Sequence, residues 1–404
     1  MSRGSLTEYY SGIGFKRLRA TEVDPQTSHG HEFQGISAFR TLFGDERQEL
    51  TANILYLSDN EDDVIVQAGD LSWYDSREKD SNRSAEYRLY YPADVTIVQE
   101  YAEPGDLVVI GRRPDDSIDV LIAEAGSTFE RQLLWLFAID ESQLSESFDT
   151  RELEDTVRLD MAGQFILEKI GVEVDLGDEN YLDDMLERFG SGFPDTRTFS
   201  KYAREKSTAE SSLDGPDAVV LAWIEREEML FRTFEKHLVS ERLSHGFTDD
   251  VDGFIAFSLS VLNRRKSRAG HAMENHLEHV FQEHNIDYSR GKVTENRSKP
   301  DFLFPGVEEY HNPDYPSNQL LMLGVKTSCK DRWRQVLSEA EKIPHKHLFT
   351  LEPAISAHQT AEMDQKNLQL VLPSGLHATY ISDQQEWLMD LAAFLSLTRE
   401  LARR

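Results

Sequence analysis

Six short apolar runs crowd into residues 52–125, and their spacing constrains the fold more than any other feature of the chain. They are ANILYLS (52–58), VIVQA (64–68), EYRLYY (86–91), VTIVQ (95–99), DLVVIG (106–111) and DVLIAEA (119–125). Turn-forming stretches such as DNEDD, PADV, EPGD and RPDDS stand between them. Short β-rich runs at this spacing predict an all-β barrel or sandwich over residues 15–125. STFERQLLWLFAI (127–139) reads as helical or mixed. From 140 to 192 the chain turns acidic and holds one expected helix, 155–170; it reads as an interdomain linker. From Phe193 onward the pattern is α/β. Helical periodicity covers 216–240, 250–262, 271–284, 331–343 and 384–402. Strand-like runs are DFLF (301–304), LLMLGVKTS (320–328), HLFTL (347–351) and LQLVLP (368–373). Helices around a mixed sheet accommodate this order. The expected organisation is a β-barrel domain over 1–145, a partly helical linker over 146–192 and an α/β domain over 193–404.

Composition narrows the setting. The 404 residues fit two or three domains, and 39% hydrophobic with 10% aromatic content is enough to bury real cores. Cys329 is the only cysteine, which excludes a disulfide framework and a cysteine-based zinc site and fits a reducing, cytoplasmic location. MSRGSLTEYYSGIGFKRLRA lacks the apolar core of a signal peptide, and no apolar run approaches the length of a membrane helix, so no membrane partner is expected. Asp and Glu number 73 against 43 Lys and Arg, a net charge of −30. Such a surface repels phosphate, which argues against nucleic acid as a ligand. It also suits a salty cytoplasm, where acidic surfaces stay hydrated. In that setting local basic clusters say more about the ligand than the total does.

One such cluster is KTSCKDRWRQVLSEAEKI (326–343), which holds Lys326, Lys330, Arg332, Arg334 and Lys342. On a strand over 320–328, Leu321, Leu323 and Val325 face one way, and Met322, Gly324, Lys326 and Ser328 face the other. A lysine ending a buried strand is uncommon. Upstream, Asp301 opens the apolar run in KPDFLFP. An acid and a lysine on neighbouring strands can both reach a metal-bound phosphate, the acid through Mg²⁺ and the lysine directly. Magnesium needs at least one more carboxylate. In the commonest arrangement that acid precedes the lysine by two residues, but Gly324 stands there. The next helix offers Glu339 and Glu341 on either side of an apolar face of Trp333, Val336, Leu337, Ala340 and Ile343, and helix geometry does not choose between them. Glu274, at the edge of the stripe Met273, Leu277, Val280, Phe281 and His284, is a further acid. His276 and His279 fall on a polar face. No HExxH or HxxEH spacing supports zinc.

NRRKSRAG (263–270), HLEHVF (276–281), KPDFLFP (299–305), VKTSCKDRWRQVLSEAEKI (325–343), HLFTL (347–351) and LPSGLH (372–377) together resemble the catalytic domain of EcoRII-type restriction endonucleases over about residues 193–404. The resemblance implies a PD-(D/E)xK nuclease fold, a mixed sheet flanked by helices, with one acid moved to a helix. It places the catalytic set on Asp301, Lys326 and Glu339, with Glu274 on the preceding helix and Mg²⁺ held by Asp301 and Glu339. It prefers Glu339 over Glu341, and it matches Tyr310 to a family tyrosine. Lys330, Asp331 and Arg332 would read G·C pairs, since Arg and Lys donate to guanine and Asp accepts from the cytosine amino group. Arg264, Arg265, Lys266 and Arg268 would contact phosphates. Trp333 reads as core.

FKRLRATE (15–22), SHGHEFQG (28–35), LFG (42–44) and AEYRLYY (85–91) resemble the effector-binding domain of the same family, a DNA-binding pseudobarrel related to the plant B-three type. Its implied DNA contacts are His31, Arg83, Glu86 and Arg88; Tyr87 departs from the basic residue found there in the family. The expected function is a Mg²⁺-dependent type II endonuclease, cutting double-stranded DNA at a CC/GG-flanked site such as CCWGG and activated by a second, effector site. The expected partners are target and effector DNA and a second copy of the chain, with a cognate methyltransferase protecting host DNA. A non-cleaving dimeric DNA-binding regulator and a nuclease of little sequence preference are the alternatives.

Overall fold

A computed structural model describes residues 5–24, 31–34, 36–59, 64–79, 83–153, 159–174, 181–209, 211–329 and 332–403. The chain divides into two compact units, Met1–Val174 with Pro353–His358, and Asp175–Glu352 with Gln359–Arg404. The stretch 146–192 is shared between them: a strand at Asp149–Glu152 and a helix at Met161–Lys169 belong to the first, and a helix at Leu182–Phe189 to the second.

The first unit is built on eight strands: β1 (Gly12–Arg17), β2 (Glu32–Phe33), β3 (Gln48–Leu57), β4 (Ile65–Asp75), β5 (Tyr87–Tyr90), β6 (Leu107–Arg112), β7 (Ile118–Ala123) and β8 (Asp149–Glu152). They form one sheet in the order β2-β5-β4-β3-β7-β6-β1-β8. β3 and β7 run parallel, and the other neighbours are antiparallel. One face buries Ile54, Leu71, Trp73, Leu89, Ile110 and Val120 with Phe39 and Phe43 from the segment before β3. Five of the six apolar runs are strands. The exception is VTIVQ, which forms a short helix, Ile97–Tyr101. Its β-branched residues favour strand, but Gln67 Oε1 accepts from the amides of Thr96 and Ile97 at 3.0 and 3.1 Å and holds the first turn. Val95, Ile97 and Val98 are thereby buried as one cluster.

The second unit packs helices on a five-stranded sheet: β9 (Ser289–Arg290), β10 (Phe302–Phe304), β11 (Leu321–Val325), β12 (Lys346–Phe349) and β13 (Leu368–Val371), in the order β13-β12-β11-β10-β9. β9, β10 and β11 are antiparallel neighbours, and β11, β12 and β13 are parallel, so the sheet is mixed. Two long helices, Pro216–His245 and Val251–Glu283, form a hairpin. The periodicity suggests a break between 262 and 271, but the second helix runs through it unbroken. Arg265 and Arg268, the residues of that polar run that turn inward, are neutralised by Glu235, Glu227 and Glu228 of the first helix. The expected helix 331–343 is also corrected. It is Arg332–Leu337, and Ala340 adopts a left-handed conformation, φ 48°, that no continuing helix tolerates.

Phe281 locks the long helix to the sheet. It is fully buried, with its ring edge-on to Phe302 and Phe304, each at 5.1 Å. Phe281→Ala should cost about 3–5 kcal/mol of stability, read as a lower denaturant midpoint.

Candidate active site

The site begins with a pairing register. In the antiparallel β10–β11 pair, Phe302 lies opposite Leu323, so Asp301 comes opposite Gly324. Residues opposite each other share a face of the sheet, and so do residues two apart on one strand. Asp301, Gly324 and Lys326 therefore sit on one face. The main chain fixes the acid: the Val325 amide donates to Asp301 Oδ2 at 2.7 Å, and Lys326 Nζ reaches the same oxygen at 3.3 Å. Both side chains are half-buried.

Gly324 decides where the next acid comes from. A Cβ there would stand 3.1 and 3.2 Å from the two methyl groups of Val336. The helix Arg332–Leu337 thus lies directly on the strand, where a larger residue at 324 would lift it off. Trp333 and Val336 are its buried face. Two residues beyond the helix, Glu339 turns back toward Asp301 and Lys326. Burial, with the Asp301 charge adding, raises its carboxyl to about 7, and Lys326 and Lys346 oppose that shift. Glu339 Oε2 is buried with no hydrogen-bond partner. Glu341 is exposed and accepts from Asn296 Nδ2 at 2.9 Å, so the structure separates two acids that helix geometry left equivalent.

Lys346 was not expected from the sequence. At the start of β12 it is buried, and its Nζ donates to the carbonyls of Ile343 and Ala340 at 2.8 and 3.5 Å. It clamps the turn that carries Glu339. Burial lowers its pKa, and Glu339 is first among the acids that oppose this. The signal was a lysine just ahead of the apolar run HLFTL. Arg290 was missed as well, because DYSRGK carries no strand pattern. It sits opposite Phe302 on β9 and takes Glu274 Oε2 at 2.8 and 3.1 Å and Glu278 at 2.6 Å. Glu274 is therefore brought to an arginine rather than to Asp301 or Lys326.

The remaining expected residues divide by environment. Lys330 and Asp331 lie outside the described residues. Arg332 is exposed at the start of its helix. Arg334 pairs with Glu362 at 2.8 Å, and Lys342 Nζ is spent on the carbonyls of Asn312 and Tyr310. Of the basic run, Arg264 and Lys266 face solvent, whereas Arg265 and Arg268 are ion-paired within the hairpin. Tyr310 donates to Glu295 at 2.5 Å, and burial with that carboxylate raises its phenol well above the usual value. His276 is not on a polar face: it is fully buried, 2.8 Å from Glu227 and beside Trp223, because helices cover both of its sides. In the first unit, Arg88 reaches Glu32 at 2.8 Å and Glu86 at 3.5 Å, Arg83 is exposed, and the His31 ring meets Tyr90 and Tyr91 edge-on. Tyr87 stacks on Trp73 at 4.9 Å and donates to Asp45.

The donor set suits a hard divalent cation. Among the described residues no group of three or more His, Cys, Asp or Glu converges. Asp301 and Glu339 supply two carboxylates, and Glu339 Oε2 has no competing donor. Mg²⁺ is commonly held by one or two carboxylates with waters completing its shell.

Glu339 also sets a pH dependence. Its folded value of about 7 lies above the ordinary 4.5, so the folded state holds its proton more tightly, and stability falls as pH rises through that window. Glu339→Gln should leave the metal-free protein more stable at pH 8 by about 2 kcal/mol, with the difference gone below pH ~4.5. Thermal unfolding in EDTA across pH measures it. Gly324→Ala should cost about 1–3 kcal/mol, and Val336→Ala in the same chain should recover part of it, a coupling read in a double-mutant cycle.

Residues 231–395 match the family model described as EcoRII C terminal. The type II restriction enzyme EcoRII of Escherichia coli is 44% identical over 205 residues, covering 50% of this chain and 50% of the relative. The chain thus spans about half the length of that relative. Two solved structures are similar. Metal-depleted Ecl18kI in complex with uncleaved, modified DNA has a TM-score of 0.44 and 19% identity, covering 55% of this chain and 84% of that one. The restriction endonuclease PspGI–substrate DNA complex has a TM-score of 0.43 and 16% identity, covering 52% and 95%. The paired Asp301 and Lys326 and the relocated Glu339 all lie inside residues 231–395, the segment that matches the family model described as EcoRII C terminal.

Proposed function

We propose that the chain is a type II restriction endonuclease, hydrolysing phosphodiester bonds in double-stranded DNA at a CC/GG-flanked site such as CCWGG. The observation that carries this reading is the convergence of Asp301, Lys326 and Glu339 on one face of the sheet, inside the segment similar to EcoRII. Asp301 and Glu339 would hold Mg²⁺, which when bound supplies charge stabilisation at the phosphate and acidifies a water. Lys326 is placed to donate to a non-bridging phosphate oxygen and to offset charge as it grows there. The Val325 amide keeps Asp301 oriented, and the Lys346 clamp keeps Glu339 facing it. Glu274, held by Arg290 on the side of the sheet where Phe302 lies, is left out of the chemistry.

Arg332, with Lys330 and Asp331, would read the flanking G·C pairs, and of the basic run the exposed Lys266, with Arg264, whose guanidinium lies 5.1 Å over the Phe193 ring, would meet phosphates. The eight-stranded first unit is proposed as a pseudobarrel that binds effector DNA, with His31, Arg83, Glu86 and Arg88 as contacts. Two catalytic units related by a two-fold axis would cut the two strands of a near-palindrome, and a cognate methyltransferase would protect host DNA.

The test is cleavage with Mg²⁺ of a plasmid carrying several CCWGG sites, at low salt and at molar KCl, beside Asp301→Ala. Discrete fragments ending at those sites, reduced on the order of 10³-fold in the variant, are the expected result. Retained DNA binding with no cleavage in any salt overturns the proposal.

A further inference from the structure

Lys16 points into the core of the first unit. On β1 it shares a face with Gly12 and Gly14, where a Cβ would run into Leu42 and the ring of Phe39. It is fully buried, with its ammonium 4.9 Å from the centre of the Phe148 ring. Its three donors all meet protein acceptors: both oxygens of Glu22 at 2.5 Å and the carbonyl of Gln34 at 3.0 Å. Glu22, buried as well, also accepts from the amides of Gln34 at 2.6 Å and Arg19 at 2.9 Å. Thr21 Oγ1 donates to Gln34 Oε1 at 3.1 Å. One buried ion pair thus holds both main-chain groups of Gln34, and the threonine beside it holds the side chain.

Gln34 follows directly on β2, the outermost strand of the sheet. β2 pairs with β5 through two residues, Glu32 opposite Tyr90 and Phe33 opposite Leu89, and the Tyr91 amide donates to the His31 carbonyl at 2.9 Å. So short an edge has few bonds of its own to keep it from opening. Yet it carries the groups that DNA binding needs: His31 opens the segment, and Glu32 takes Arg88 at 2.8 Å. A buried ion pair is a poor device for stability alone, because apolar side chains of similar volume often do as well. What they do not supply is an acceptor and a donor for the main chain of Gln34, which would then turn to water and take the segment with it. We infer that Lys16 and Glu22 are positioning residues for DNA recognition by the first unit: through Gln34 they fix residues 31–34, so that His31, and Arg88 through Glu32, meet a duplex in one set arrangement. The inference rests on the proposal that this unit binds effector DNA, and it names the buried element that presents the contacts.

Hydrogen exchange of the full chain, read by mass spectrometry, separates the two units by peptide. A duplex carrying CCWGG is added stepwise in EDTA, so that binding stands apart from cleavage. Protection of peptides covering 83–91 then reports the affinity of the first unit, and protection of 326–343 that of the second. In wild type the duplex should protect 83–91. Lys16→Met with Glu22→Leu leaves neither charge of the pair behind. In that double variant peptides covering 31–34 should exchange faster without DNA. Protecting 83–91 should then take about tenfold more duplex, the scale of one polar group left unpaired. Affinity at 326–343 and the thermal midpoint should stay near wild type, which a purely structural role would not allow. Lys16→Met with Glu22→Gln keeps an oxygen for the Gln34 amide and should recover part of the loss. Thr21→Val, a milder change, should weaken the same binding about threefold. A Lys16→Met, Glu22→Leu protein whose first unit binds as wild type does overturns the inference. So does one that loses binding only by unfolding while Thr21→Val binds normally. A wild type whose 83–91 peptides ignore the duplex overturns the effector reading, and the inference falls with it.

Discussion

The contact between Gly324 and Val336 sets the geometry of the site. A strand can receive a helix this closely only where it carries no side chain, and at 324 even one methyl would crowd the two valine methyls. Close approach is what brings the chain past Leu337 down to the level of Lys326. The position that could have held an acid on the strand is spent on packing, and the acid is delivered from the turn beyond the helix. Packing and chemistry are thus two uses of one vacancy in the side-chain pattern.

That turn is held by unusual means. Ala340 takes a left-handed backbone that disfavours residues with a Cβ, and a buried ammonium, Lys346, satisfies the carbonyls of Ile343 and of Ala340 itself. A buried lysine is costly unless its donors are met, and here main-chain oxygens meet them beside an acid of opposite charge. Glu339 is left with a buried oxygen that nothing donates to, while Asp301 is fully oriented.

Much of this was legible in the residues. Asp301 and Lys326 follow from strand alternation and from the rarity of lysine at the end of a buried strand. Five of six apolar runs in the first unit are strands, because alternation and turn residues are local signals. What failed depended on distant partners. VTIVQ became helical through the side chain of Gln67, and the basic run 264–268 stayed helical through glutamates about thirty to forty residues earlier. Lys346 and Arg290 act through carbonyls and carboxylates that no spacing rule connects to them. The choice of Glu339 over Glu341 likewise rests on where the helix stops, which a left-handed alanine decides. The total charge of −30 was a poor guide for a related reason: it sums the surface, while the site depends on a few cations shielded from it.

The unbroken helix from Val251 to Glu283 has a consequence for how this protein can vary. Its 33 residues make a rod of about 50 Å, anchored at one end by Phe281 on the sheet and free of the sheet at the other. A rod without a hinge keeps its two ends in phase. Each residue added or removed between them would swing the Ile255 face by about 100° around the axis relative to the anchored end. Substitutions at its exposed positions are cheap by comparison. Insertions and deletions are quantised, tolerated best in sets that approximate whole turns, such as seven or eleven residues. Length, more than composition, is what this helix has to conserve.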